Sequence, residues 1–123
     1  MSVIAFVPAR KGSKRIKNKN ILPLNNHPLI AYTINVALKS KLFTHVFCIT
    51  DSKKYSEIAT YYGAKKFPLR PKFTSNSTST DDMWVNWAIN LCEKKKIKFN
   101  YFSILRPTSP FRTVKMIKKS LDI

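Results

Sequence analysis

Three short apolar runs constrain this chain more than any other feature: VIAFV at 3–7, HVFCI at 45–49 and YFSIL at 101–105. Each is too short for a helix and reads as a strand; VIAFV, apolar throughout, has the pattern of one buried on both faces. Between them lie stretches with helical spacing. Leu29, Ile30, Thr33, Ile34, Ala37 and Leu38 share one face along 28–38, and Pro28 suits a first helical turn. Tyr55, Ile58, Ala59 and Tyr62 share another after a cap at Asp51 or Ser52, and Gly63 falls where a left-handed residue ends a helix. Trp84, Trp87, Ala88 and Leu91 form a third stripe behind a cap at Thr80 or Asp81. A brief strand is expected over 64–67, and a further helix begins over 114–121. The order β-α-β-α-β-α-β-α predicts an α/β fold, a parallel sheet with helices on both faces. A length of 123 residues allows one domain with a modest core.

Two loops in this scheme are unusual. Residues 8–20 leave the first strand and carry Arg10, Lys11, Lys14, Arg15, Lys17 and Lys19; residues 106–113, RPTSPFRT, leave the last. If the last strand returns beside the first, both loops meet at a topological switch point, where open α/β sheets bind ligands. Six cations in one loop repel unless an anion or water screens them. A polyphosphate cradle therefore fits better than a merely solvated loop. Gly12-Ser13-Lys14 lacks the earlier glycine of a Walker A loop, and the lone Gly12 excludes a dinucleotide fingerprint. Gly12 lets the backbone approach a phosphate, with charge from Arg10 and Lys14 on either side.

Composition adds less. The net charge of +17, from 23 basic and 6 acidic residues, permits a nucleotide, nucleic-acid, acidic-sugar or membrane-surface partner. The cations are spread along the whole chain, however, with no helix-turn-helix, zinc-finger or RRM signature. Cys48 and Cys92 read as buried thiols, His27 and His45 have no partners at metal-ligand spacing, and no metal site is expected. No signal peptide or bilayer-spanning run is legible, so a cytoplasmic protein that does not engage a membrane is expected.

PARKGSKRIKNKNI, followed by PLIAYTI, ITDS, IATYYGA, RP and LRPTSPFRT, resembles the acylneuraminate cytidylyltransferases, the CMP-nonulosonate synthetase group. The resemblance implies a Rossmann-like sheet of the GT-A nucleotidyltransferase type. It also implies transfer of CMP from CTP to an acidic nine-carbon sugar, of sialic, legionaminic or pseudaminic type, with release of pyrophosphate. By position it places Ala9, Arg10, Gly12, Ser13, Lys14, Lys19, Asn20, Arg70, Thr78 and Thr80 on CTP, with Arg10 and Lys19 as the catalytic cations. Arg106, Thr108 and Ser109 fall on the loop that faces the sugar, Arg106 standing where the family commonly has Gln. The match ends at Ile123, about halfway along the family's domain, so residues 1–123 read as one incomplete domain truncated after about four strands. The other half is expected to carry the main Mg2+ ligands and the contacts of a homodimer. An inactive remnant and a basic module binding nucleic acid without specificity remain the competing readings.

Overall fold

The computed structural model describes residues 2–10, 23–24, 27–74 and 80–107. Chain order is β1 (Val3–Pro8), β2 (Pro23–Leu24), β3 (His27–Pro28), α1 (Leu29–Ser40), β4 (His45–Ile49), α2 (Lys53–Tyr61), α3 (Asp81–Lys94) and β5 (Tyr101–Ile104), with a 3-10 turn at Lys72–Thr74 before α3. β4, β1 and β5 form a three-stranded sheet in that order, and both pairings are parallel. Ile4 lies opposite His45 and Phe102; Phe6 lies opposite Phe47 and Ile104. The chain thus winds from β1 to one side and returns to the other. β1 and β5 flank the switch point, as their loops suggested.

β1 sits in the middle because its sequence serves two cores. Ala5, Val7 and Ala9 point into one cluster with Ile30, Ile34 and Ala37 of α1, Val46 and Cys48 of β4, and Tyr55 and Ala59 of α2. Ile4 and Phe6 point into the other, with Phe47, Ile49, Phe67 and the α3 residues Trp84, Ala88 and Cys92. Period-2 alternation of residues that are all apolar produces this two-sided burial. Phe6 is fully buried and meets Phe47, Phe67, Trp84 and Phe102 at ring-centroid distances of 5.7–6.4 Å. Such offset and edge-on pairs add to the area term.

The helix stripes hold with local adjustments. Pro28 is the N-cap of α1 rather than its first residue. Ile30, Thr33, Ile34 and Ala37 are buried as expected, while Leu38 at the stripe's edge is 41% exposed. Ser52, not Asp51, caps α2: its hydroxyl accepts from the Tyr55 N–H at 3.2 Å. Gly63 ends that helix with φ +108°, a conformation open to glycine. Thr80 is the N-cap of α3, without a side-chain cap bond. Cys48 and Cys92 are both buried and free.

One expectation is overturned. The strand placed at 64–67 reduces to a single parallel bridge between Phe47 and Lys65. The Lys65 N–H donates to the Val46 carbonyl at 2.8 Å, but the later bond from the Arg70 N–H to the Thr50 carbonyl falls out of the alternate-residue register of a continuing ladder. The β2–β3 pair was not anticipated. The helix over 114–121 and most of loops 8–20 and 106–113 lie outside the described residues.

Candidate functional site

Three strand ends and one helix start meet at the carboxyl edge of the sheet. The Ala9 N–H donates to the Ile49 carbonyl at 2.9 Å, and the Leu105 N–H to the Phe6 carbonyl at 2.9 Å. These bonds carry the backbones of β1 and β5 one residue past their last paired positions. Arg10 and Arg106 are next in line. The Arg70 N–H donates to the Thr50 carbonyl at 2.8 Å, which lays the segment before the 3-10 turn across the end of β4.

Arg70 is the most confined cation of the group, 8% exposed. Its Nε donates to Thr74 Oγ1 at 3.4 Å, its Nη2 donates to the Thr74 carbonyl, and its guanidinium carbon lies 5.6 Å from the Trp84 ring centroid. Thr74 Oγ1 in turn donates to the Pro71 carbonyl at 2.7 Å, closing the turn that holds it. Burial pushes the Arg70 pKa down, with Arg10 acting in the same direction, whereas Asp51 and Asp81 push it back up. Arg10, Asp51, Arg70 and Asp81 therefore share one electrostatic neighbourhood.

Asp81, the first residue of α3, completes the arrangement. Its Oδ1 accepts from the Trp84 indole at 3.0 Å and its Oδ2 from Arg106 Nη2 at 2.5 Å. The indole bond is the foremost cause of a lowered Asp81 pKa; burial opposes it, and Arg106 and Arg70 add to it. Net cation excess at the strand ends, with guanidiniums set by neighbours, suits a polyanionic ligand.

No helix among the described residues is long and apolar enough to cross a membrane. Residues 4–122 match the family model described as cytidylyltransferase. The chain belongs to the cytidylyltransferase family. Among curated cytidylyltransferases it is 42% identical over 110 residues to the N-acylneuraminate cytidylyltransferase of Escherichia coli, covering 89% of this chain and 25% of that protein. To the CMP-N,N'-diacetyllegionaminic acid synthase of Legionella pneumophila it is 36% identical over 126 residues, covering 100% of this chain and 53% of that one. The chain thus spans about half or less of the length of these relatives. A solved CMP:2-keto-3-deoxy-manno-octonic acid synthetase complexed with CTP superposes with TM-score 0.79 over 98% of this chain and 46% of the other. At 18% identity that likeness establishes the shared Rossmann-like fold.

Of the residues that the cytidylyltransferase resemblance placed on ligands, the described structure brings Arg10, Arg70 and Arg106 to one edge. Ala9 is fully buried beneath them, and Thr80 is exposed at the N-cap of α3. Gly12, Ser13, Lys14, Lys19, Asn20, Thr78, Thr108 and Ser109 lie outside the described residues. Sequence reasoning missed three participants. Asp81 read as a helix cap, yet its carboxylate holds Trp84 and Arg106. Trp84 read as core alone, yet it also supports the Arg70 guanidinium. Thr74 was not singled out. The Asp81–Trp84 spacing of three residues was a usable signal for the first contact. No local pattern announces Asp81–Arg106.

The described residues do not build a Mg2+ cage. No group of three or more metal-ligating side chains occurs among them, and the Asp81 carboxylate is already engaged by an indole and a guanidinium. Mg2+ is commonly held by one or two carboxylates together with phosphate oxygens and water.

Proposed function

We propose that this chain forms the nucleotide-binding part of an enzyme that transfers CMP from CTP to an acidic nine-carbon sugar. A sugar hydroxyl attacks the α-phosphorus and loses its proton; the new O–P bond forms as the bond to the β-phosphate oxygen breaks, releasing pyrophosphate. The observation that carries this reading is the convergence of Arg10, Arg70 and Arg106 at the switch point between β1 and β5.

The attacking oxygen belongs to the substrate, so the protein needs no nucleophile of its own. Its work is to align that oxygen with the α-phosphorus and to stabilise charge on the phosphoryl group and the departing pyrophosphate. Arg10, Lys14 and Lys19 supply positive charge along the triphosphate, Gly12 lets the backbone approach it, and Ser13 and Asn20 belong to the same CTP-binding set. Arg70, Thr78 and Thr80 serve the nucleotide; Arg106, Thr108 and Ser109 face the acceptor. An arginine at 106 offers a planar fork that matches a sugar carboxylate. Mg2+ accompanies CTP, and the complete enzyme works as a homodimer in the cytoplasm.

The test is Arg10→Ala. Loss of one positioned cationic donor costs about 2–4 kcal/mol of stabilisation of the transferring phosphate. The variant should lose CTP binding and turnover while its unfolding midpoint stays near that of the parent. Near-normal CTP affinity in a folded Arg10→Ala protein would overturn the assignment.

A further inference from the structure

The Asp81 carboxylate is bound at both oxygens by groups of different character. Oδ1 takes the indole N–H of Trp84, a side chain only 2% exposed and packed edge-on against Phe6 at 6.0 Å. Oδ2 takes Arg106, whose side chain is 47% exposed. One end of the carboxylate is therefore fixed to the core and the other reaches an arginine at the mouth of the site. An ion pair this exposed contributes little to stability. Its geometric consequence is larger, because a long side chain of many rotamers is held at one place by an anchored partner.

Resting on the function proposed above, we propose that Asp81 is a positioning residue: clamped on the Trp84 indole, it holds the Arg106 guanidinium at the end of β5, oriented for an oxyanion of the ligand. The oxyanion is either a phosphate of the nucleotide or the carboxylate of the acceptor sugar. Asp81 touches neither. It acts through Arg106, and its charge also reaches Arg70, whose guanidinium lies over the ring of the same Trp84.

Charge alone and positioning predict opposite signs. If Asp81 were only a negative neighbour, Asp81→Asn would relieve repulsion of a polyanion and tighten binding. If Asp81 positions Arg106, Asp81→Asn weakens binding although the site becomes more positive. Isothermal titration of the full chain measures this with two probes: inorganic pyrophosphate, and N-acetylneuraminate added to CTP-saturated protein. The expected result is a loss of about tenfold for Asp81→Asn on at least one probe, the scale of one charge-assisted bond. Weakening confined to pyrophosphate identifies a phosphate as the partner of Arg106, and weakening confined to the sugar identifies a carboxylate. In an Arg106→Lys background, which keeps the charge and loses the fork, Asp81→Asn should have no further effect. Unchanged or tighter binding of both probes overturns the proposal, as does an undiminished Asp81→Asn effect in the Arg106→Lys background. Failure of the parent chain to prefer CTP over ATP and UTP would instead refute the proposed function, and the pyrophosphate comparison would still decide the role of Asp81.

Discussion

Replacing Gly63 by alanine should destabilise the protein by about 2–3 kcal/mol, and the structure divides that cost in two. The first part is backbone. Gly63 has φ +108°, well beyond the left-handed well that an L-residue visits, at a cost of about 1–3 kcal/mol. The second part is contact: an added Cβ would lie 2.6 Å from Leu38 Cδ1, and the next Leu38 atom is at 4.0 Å. Leu38 is 41% exposed and can swing away, so relieving this clash costs only about 0.5–1.5 kcal/mol in rotamer strain. Against these, alanine removes about 0.4–1 kcal/mol of unfolded-chain entropy. Urea denaturation followed by circular dichroism reads the sum as a lowered midpoint at unchanged slope. In a Leu38→Ala background the contact part vanishes and the backbone part remains. A Gly63→Ala protein within about 0.5 kcal/mol of the parent would refute the argument, because both parts would then be absent. Gly63 turns the chain toward the Lys65 bridge, ahead of the segment that carries Arg70.

Other expectations follow from single residues. Phe6→Ala, emptying the meeting point of four aromatic rings, should cost about 3–5 kcal/mol in the same assay. Burial pushes the Cys48 thiol up to about 12, so a thiol reagent should label it only as fast as the protein unfolds; rapid labelling of native protein would contradict its placement. His45 is held below its ordinary 6.5, first by burial and then by Lys65, so the unfolded state takes up the proton more readily. Its contribution is full above 6.5 and fades as pH falls through the lower folded value; His45→Gln should flatten that limb of a melting-temperature profile. Asp81 shifts down from 3.8, so its contribution persists above 3.8 and fades as pH falls below it; Asp81→Asn should remove that separate, more acid limb.

Much of the fold was legible because β1 is apolar at every position, β4 at all but His45, and the helices carry clean stripes. VIAFV could bury both faces only between two layers, and the structure gives it two cores. The 64–67 segment misled because Phe67 and Ala64 are buried like strand residues although the segment pairs with β4 at one bridge only. β2 and β3 are two residues each, too short to show any period. Within the site, Arg10 and Arg106 were readable as residues just past strand ends. The Asp81–Arg106 pair joins residues 25 apart, and the Arg70–Trp84 contact depends on α3 packing beneath the 3-10 turn. Such contacts arise from tertiary packing and leave no local pattern.

The most direct test of a CTP cradle is thermal stabilisation of the purified chain by CTP, compared with ATP, UTP and duplex DNA at low and moderate salt with Mg2+ present. A pocket built for a cytidine nucleotide predicts a rise in melting temperature selective for CTP that survives moderate salt. Equal rises from every polyanion, collapsing as salt increases, would contradict it and reduce the cations at the switch point to a charged surface.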